Sequence, residues 1–148
     1  MKKAENYVTL EFLSRSTNEG FARTATAGFV AQLDPTLDEL GDIKTSVSEA
    51  VTNAIVHAYP DSLGKIVMKL KILEGNVLEI TVRDWGRGIE DVVKAREPLF
   101  TTGGEERSGM GFTIMESFMD FLKVKSAANK GTSVVMRKRI APRLTGRR

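Results

Sequence analysis

Three polar residues that could support phosphate chemistry lie four positions apart in one stretch of the chain. Glu49, Asn53 and His57 would lie along one line of an α-helix. A carboxylate can accept a proton from an attacking hydroxyl, and an amide oxygen suits Mg²⁺, which uses few protein ligands. The same spacing is more often an ordinary row of polar surface side chains, so the chemical interpretation depends on the other motifs.

A second motif, Asp84-Trp-Gly86-Arg-Gly88, follows a predicted strand. The carboxylate of Asp84 can accept a hydrogen bond from the exocyclic amine of adenine. Glycines at Gly86 and Gly88 permit positive φ and the close approach of a ligand. A tight turn closed by the aspartate side chain is the alternative, and this motif alone favours that alternative.

A third motif, 107–112, reads Arg-Ser-Gly-Met-Gly-Phe and opens a predicted helix. Free N–H groups at a helix start suit phosphate, and Arg107 could bridge phosphate oxygens or be an exposed loop charge. Residues 104–109 have P-loop spacing, but Met110-Gly111 replaces the Lys-Ser/Thr that a P-loop requires. With Gly131-Thr132, a weak turn-before-strand signal, the motifs together describe a pocket for Mg-ATP without a P-loop.

Composition excludes several classes of protein. The 148 residues include no cysteine and a single histidine, which excludes disulfides, thiolate metal sites and multi-histidine sites. A hydrophobic content of 41% is typical of one globular domain. The N-terminus has no signal-peptide pattern and no window is long enough to span a membrane, so we expect a cytoplasmic protein.

Charge is distributed unevenly along the chain. The net charge is +3, but from Arg137 onward there are six basic residues and no acid. The preceding part therefore has 16 basic residues against 19 acidic ones, or about −3. The basic end could contact nucleic acid or an acidic partner, or it could be a solvated terminus. No aromatic–basic patch is visible in the sequence, so we expect no direct nucleic-acid binding.

Periodicity and capping signals predict the elements that position the motifs. Helices are predicted over residues 19–33, 36–57, 90–96 and 109–120, and strands over 7–13, 65–73, 77–83, 122–126 and 132–140. Asn18 is the predicted N-cap of the first helix, and Thr36 with Glu39 predicts a capping box. Without strict βαβ alternation, the pattern favours an α+β two-layer sandwich. Residues 1–140 form one predicted domain, followed by a flexible basic tail at 141–148.

The motifs and their order resemble the GHKL, or Bergerat-fold, ATPases. Within these, the chain is similar to the small anti-sigma serine kinases, first of the sporulation (sigma F) type and alternatively of the stress-response (sigma B) type. The stretches that carry this resemblance, besides the motifs above, are residues 18–23, 31–35, 48–55, 98–102 and 106–115.

The resemblance implies a mixed, mostly antiparallel sheet with helices on one face, and binding of ATP or ADP with Mg²⁺. It implies a homodimer that inhibits a sigma F-type factor and phosphorylates a serine of an anti-anti-sigma protein, with no membrane contact. An ATP-gated binding module without phosphotransfer is the alternative from another class.

The resemblance also implies residue roles. Glu49 corresponds to the catalytic base, Asn53 to the magnesium ligand, Arg107 to a catalytic lid arginine, and Arg23 to a partner-binding residue. The implied nucleotide-binding positions are Asn53, His57, Asp84, Gly86, Gly88, Thr101, Ser108, Gly109, Met110, Gly111, Phe112 and Thr132. Two segments, 57–64 and 102–107, are each about one residue shorter than the family pattern.

Overall fold

The computed structural model describes residues 3–89 and 111–142. The elements in chain order are β1 (Ala4–Leu13), α1 (Thr17–Val30), a 3₁₀ turn (Ala31–Leu33), α2 (Leu37–Asn53), a π-helical turn (Ala54–Ala58), β2 (Lys65–Leu73), β3 (Val77–Asp84), α3 (Gly111–Phe118), β4 (Phe121–Ala127) and β5 (Gly131–Arg139). The short helix predicted at 90–96 and the predicted start of the next helix at 109–110 lie in residues 90–110, which are outside the described ranges.

The five strands form one sheet in the order β1-β2-β3-β5-β4. Every strand pair in the described ranges is antiparallel, within the mostly antiparallel sheet that the resemblance implied. The turn residues Glu74-Gly-Asn76 between the two predicted strands indicate a hairpin, and the β2–β3 hairpin that forms places Ile66 opposite Asp84. On the other side of β3, Thr132 of β5 pairs with Asp84, so two separate sequence motifs meet at the end of one central strand.

The core lies between one face of the sheet and the helices. Along β2 the side chains alternate between buried and more exposed positions, with Ile66, Met68 and Leu70 fully buried. Val47 and Val51 of α2 pack against this face. Each fully buried aliphatic side chain contributes about 1.5–3 kcal/mol of transfer free energy. The predicted α+β two-layer architecture is confirmed.

Helix α1 begins differently from the prediction. It starts at Thr17 after Ser16, and no side-chain capping bond is present at its start. Asn18 therefore lies inside the first turn, and its Nδ2 donates to the carbonyl of Leu13 at 2.9 Å. Asn18 is not the N-cap; its amide instead connects the helix to the end of β1.

Helix α2 begins as predicted, with a complete capping box. The Thr36 hydroxyl accepts from the Glu39 N–H, and Glu39 Oε1 accepts from the Thr36 N–H at 2.8 Å. Glu39 Oε2 also accepts from the Ala141 N–H at 3.1 Å. Burial acts to raise the pKa of Glu39, but these hydrogen bonds and the nearby Lys138 outweigh it and hold the pKa below its ordinary value. One carboxylate thus stabilises both the start of α2 and the end of the sheet.

The predicted helix to His57 is α-helical only as far as Asn53. The next five residues form a π turn, which ends at Ala58. A π turn is wider than an α turn, and such turns are frequent at functional sites. The straight line of Glu49, Asn53 and His57 is therefore correct for the first two residues, whereas His57 departs from it.

Candidate functional site

The first turn of α3 approaches the polar side chains of α2. A Cβ built on Gly111 would lie 3.1 Å from Glu49 Oε1 and 3.2 Å from Asn53 Nδ2. Only a residue without a side chain leaves both polar groups undisturbed, which explains glycine at this buried position. The structure thus brings together the second half of the Gly-rich motif and two of the three residues from which the chemical interpretation started.

Asp84 ends β3 as a buried carboxylate with only 5% exposure. Its Oδ1 accepts from the Gly86 N–H at 3.0 Å and from the Thr132 N–H at 3.1 Å. Burial raises the pKa of Asp84 above its ordinary value, although these two N–H groups and the positive charge of Arg83 act in the opposite direction. The side chain is therefore held in one orientation by two strands and one turn.

The turn after Asp84 is fastened to the π turn of α2. The Arg87 N–H donates to the Ala58 carbonyl at 3.1 Å. A Cβ on Gly86 would lie 2.3 Å from that same carbonyl oxygen, closer than any real contact. Glycine at position 86 is thus required by the approach of the protein's own backbone, whereas the sequence had suggested the approach of a ligand.

Gly88 and Gly131 allow the backbone of the same turn to approach the backbone of the β4–β5 hairpin closely. A Cβ on Gly88 would lie 2.0 Å from the Ala127 carbonyl oxygen, and one on Gly131 would lie 2.1 Å from the Asp84 carbonyl oxygen. Both glycines have positive φ, 74° and 94°. The turn that carries Asp84 is therefore enclosed by backbone on both sides.

The hydroxyls of Ser126 and Thr132 connect the β4–β5 hairpin further to the turn after Asp84. Ser126 Oγ accepts from the Ile89 N–H at 2.7 Å, donates to the Gly131 carbonyl at 3.0 Å, and lies 2.7 Å from Thr132 Oγ1. Since its one proton is used on Gly131, Thr132 donates to Ser126. Sequence reasoning missed Ser126. Its signal was a polar residue at the third inward position of β4, after Leu122 and Val124.

The segment between the π turn and β2, which the resemblance marked as short, is closed by Tyr59. The Tyr59 hydroxyl donates to the Lys65 carbonyl at 2.8 Å and accepts from the Trp85 N–H at 2.7 Å. The Tyr59 ring occupies the space beside Gly64, where a Cβ would lie 2.2 Å from it. A short connection therefore remains firmly joined to the strand ends beside Asp84.

Arg23 lies close to the same helix. Its Nη1 is 3.0 Å from Glu19 Oε2 and 3.4 Å from Ser48 Oγ. Ser48 Oγ in turn donates to Glu19 Oε2 at 2.5 Å. With these contacts in place, the Arg23 side chain is 42% exposed. It links α1 to α2 at the residue before Glu49.

The other predicted nucleotide-binding positions fall into two groups. His57 is half-buried in the π turn, and the Phe112 side chain is 7% exposed and belongs to the hydrophobic core. Because the Phe112 side chain is in the core, the group of this residue that can donate to a phosphate is its backbone N–H, at the start of α3. Thr101, Arg107, Ser108, Gly109 and Met110 lie outside the described residues.

A groove of about 680 Å³ lies on another side of the π turn. Its lining comes from the β1–α1 turn, the π turn, the segment after it, and Arg87. Glu49, Asn53 and Asp84 do not line this groove, so it is separate from the candidate site.

Residues 3–89 and 111–142 contain no group of three or more histidine and acidic side chains placed to hold a metal ion. None of their helices combines the length and apolar character that a membrane crossing requires.

The sequence model of the histidine kinase-like ATPase domain matches residues 13–138. The chain belongs to this family. It is 59% identical over 137 residues to the anti-sigma F factor of Geobacillus kaustophilus (strain HTA426), covering 92% of this chain and 94% of that protein. It is 55% identical over 141 residues to the anti-sigma F factor of Clostridium perfringens (strain SM101 / Type A), covering 92% and 98%. The predicted resemblance to the anti-sigma F factors is confirmed.

Solved structures agree on the fold. The RsbU and RsbW domains of Rv1364c from Mycobacterium tuberculosis match with a TM-score of 0.68 and 17% identity, over 95% of this chain and 35% of that one. The histidine kinase domain of the blue-light activated kinase EL346 from Erythrobacter litoralis matches with a TM-score of 0.58 and 24% identity, over 82% and 61%. Family membership implies ATP binding, the ligand that the motifs predicted.

Proposed function

We propose that this protein is an ATP-dependent anti-sigma factor that is also a protein-serine kinase. The observation that carries the proposal is the approach of the first turn of α3 to α2, where a Cβ built on Gly111 would lie 3.1 Å from Glu49 Oε1 and 3.2 Å from Asn53 Nδ2. A base, an amide oxygen and a helix N-terminus come together at one point, which is the set of groups that phosphoryl transfer to a hydroxyl requires.

The described residues fit Mg-ATP in three ways. Asn53 supplies an amide oxygen, a hard ligand suited to Mg²⁺ together with phosphate oxygens and water. The start of α3 supplies backbone N–H groups for phosphate. Asp84, oriented through Oδ1, has its second oxygen for the adenine amine, while Thr132 and Ser126 lie beside it.

When bound, Mg-ATP supplies the phosphoryl group and the metal charge that offsets its oxygens. Glu49 holds its carboxylate beside Asn53 and Gly111, where it can accept the hydroxyl proton of an incoming serine. Arg107, in the predicted lid, would add positive charge near the transferred group. Binding alone needs no base at this place, and that favours the kinase over an ATP-gated module without transfer.

The partners follow from the relatives. The names of the anti-sigma F factors support a sigma F-type factor as the bound protein, and we propose an anti-anti-sigma protein as the phosphorylated one. We further propose a cytoplasmic homodimer, with Arg23 at the partner surface. The stress-response (sigma B) type is the second candidate within the same class, and the 59% identity to an anti-sigma F factor favours the first.

A retention and transfer experiment tests this function. The purified protein is incubated with a sigma F factor and an anti-anti-sigma protein from a relative, with ATP, with ADP or without nucleotide. We expect the sigma factor to be retained best with ATP, and the anti-anti-sigma protein to gain one phosphate on a serine by mass spectrometry. Retention without any phosphate gain would establish the binding module instead.

A further inference from the structure

The sheet has a second face, away from the core, which we call the outer face. Its residues alternate with the buried ones along each strand. The register aligns them in rows, so that Glu11, Val67, Arg83, Ser133 and Lys125 form one row across all five strands. The next row contains Thr9, Lys69, Thr81, Val135 and Lys123.

This outer face is strongly basic. Its cations are Lys65, Lys69, Lys71, Arg83, Lys123, Lys125, Arg137 and Arg139. These eight cations stand against three acids, Glu5, Glu11 and Glu79, for a net charge of +5. Since the whole chain is +3, everything outside this face sums to −2. Neighbouring strands are about 4.8 Å apart and alternate residues nearly 7 Å apart, so the positive charges form a lattice rather than one cluster.

Aromatic side chains lie on the same face and hold some of these cations in place. Trp85 is 42% exposed, Phe121 38% and Tyr7 67%. The Lys65 ammonium lies 4.4 Å and the Arg83 guanidinium 4.8 Å from the Trp85 ring centroid. Arg137 lies 4.4 Å from Phe121, and its Nε is also paired with Glu79 Oε2 at 2.7 Å. A cation that already rests on a ring loses less conformational freedom when it binds an anion.

We propose that the outer face binds single-stranded nucleic acid. The lattice of cations matches a flexible chain of phosphates, and release of counterions would supply the affinity. Exposed aromatic rings on a sheet are the stacking surfaces that proteins use for unpaired bases. An acidic protein would use the charges but has no need of the rings. Within the described ranges no helix lies on this face to enter a duplex groove.

Sequence reasoning missed this surface because its members are never contiguous. Each strand contributes two or three cations that alternate with buried aliphatic residues, as Lys69 and Lys71 do around Leu70. Only the pairing of five strands places them side by side. The statement that the chain has no aromatic–basic patch is therefore wrong for the folded protein.

The test is fluorescence anisotropy of a labelled 20-nucleotide oligothymidine at about 50–200 mM salt, without ATP. The test variant is Lys69→Gln/Lys125→Gln; both side chains are exposed. Loss of two phosphate contacts should lower the salt slope by roughly 1.4 and weaken binding roughly 25-fold at about 0.1 M salt. The control, Lys44→Glu on α2, makes the same change of −2 in net charge away from the face and should leave the slope unchanged. Thermal melts show whether both variants fold.

Trp85 provides an independent readout because it is the only tryptophan. Oligothymidine should quench its emission through contact with the bases, whereas polyglutamate of equal charge should not. The proposal is overturned if the protein fails to bind at 50 mM salt, or if Lys44→Glu weakens binding as much as the face variant. It is equally overturned if polyglutamate displaces the oligonucleotide charge for charge, or if duplex DNA binds more tightly. These outcomes leave the kinase proposal untouched.

Discussion

Single residues at this site are held by the backbone of several elements. Asp84 shows this best, because N–H groups from its own turn and from β5 fix one carboxylate oxygen while burial disfavours its charge. One oxygen, Oδ1, therefore serves the fold through two backbone hydrogen bonds, and the other oxygen is the one that we propose recognises adenine. An amide of the same shape can still accept both backbone hydrogen bonds, but it would present a donor where adenine also presents one.

Asp84→Asn should therefore weaken ATP binding without unfolding the protein. The loss of a hydrogen bond to a charged group costs roughly 1.5–3 kcal/mol, or about 10- to 150-fold in affinity. Titration calorimetry with ATP measures it, and unchanged affinity would remove Asp84 from adenine recognition.

The same variant carries a pH prediction. Because the folded-state pKa of Asp84 is raised above its ordinary value of 3.8, the folded protein holds this proton more tightly than the unfolded chain. The resulting stabilisation is complete below pH 3.8 and is lost as pH rises through the folded-state pKa. The free energy of unfolding of Asp84→Asn, relative to wild type, should thus increase from pH 4 towards pH 7. Denaturant melts across this range measure it, and a decrease would contradict the raised pKa.

Variants at Glu49 and Asn53 should affect phosphotransfer and ATP binding differently. Glu49→Gln keeps the shape beside Gly111 but removes the base, so phosphotransfer should fall roughly 10²- to 10⁴-fold with ATP affinity retained. Asn53→Ala should lose both, because the proposed magnesium ligand is removed. Rates with labelled ATP and calorimetry on both variants give the comparison. Near-normal transfer by Glu49→Gln would show that Glu49 is not the base.

At the scale of elements, the site depends on contacts between the turns that follow α2 and β3 and the turn that joins β4 to β5. The π turn of α2 presents the Ala58 carbonyl to the turn after β3, and the Arg87 N–H bonds to it. The β4–β5 hairpin encloses that turn from the other side through Gly131. The ends of these elements are so close that three glycines, Gly86, Gly88 and Gly131, leave no room for a side chain.

Gly86→Ala should therefore destabilise the protein by about 1–3 kcal/mol, the usual effect of overpacking, because its Cβ would lie 2.3 Å from the Ala58 oxygen. Gly41→Ala is the matched control. Gly41 is exposed in α2 with nothing within 4 Å of an added Cβ, and the substitution should stabilise by up to about 1 kcal/mol. Urea unfolding of both variants measures the change in the free energy of unfolding, which should be a decrease for Gly86→Ala and an increase for Gly41→Ala. Equal effects would mean that the Ala58 contact is not tight.

At the scale of the whole molecule, the nucleotide site and the proposed partner surface share helix α2. Arg23, Glu19 and Ser48 join α1 to α2 directly before Glu49. Partner contact at Arg23, which reaches α2 at Ser48, and magnesium contact at Asn53 would therefore act on neighbouring turns of α2, which offers a short physical route between them.

Arg23→Ala should weaken sigma F binding by roughly 30-fold or more, as loss of an anchoring arginine does at interfaces, while ATP affinity stays the same. The effect on folding should be small, below about 1 kcal/mol, because an ion pair between partly exposed side chains of one helix contributes little. Lys44→Ala is the control for loss of charge. Calorimetry with ATP and with ADP, and light scattering for the dimer, measure the outcome. If the affinity for sigma F is the same in wild type and Arg23→Ala, and the same with ATP and with ADP, the partner proposal fails.

The sequence by itself determined what depends on neighbours along the chain. Alternation in 65–73 and 77–83 predicted both strands and their hairpin, and Thr36 with Glu39 predicted a real capping box, because periodicity and caps act within a few residues. It also assembled the motifs that identified the ATPase family. The start of α1 was wrong because Asn18 uses its side chain on the distant end of β1.

Tertiary structure alone decided what depends on residues far apart. The approach of Gly111 to Glu49, the contact of Gly86 with Ala58, and the role of Ser126 require the relative placement of elements, which no local pattern encodes. The basic outer face likewise exists only once five strands pair. A strand hides half of its residues and shows the other half, so the folded sheet gathers at one surface charges that the chain keeps apart.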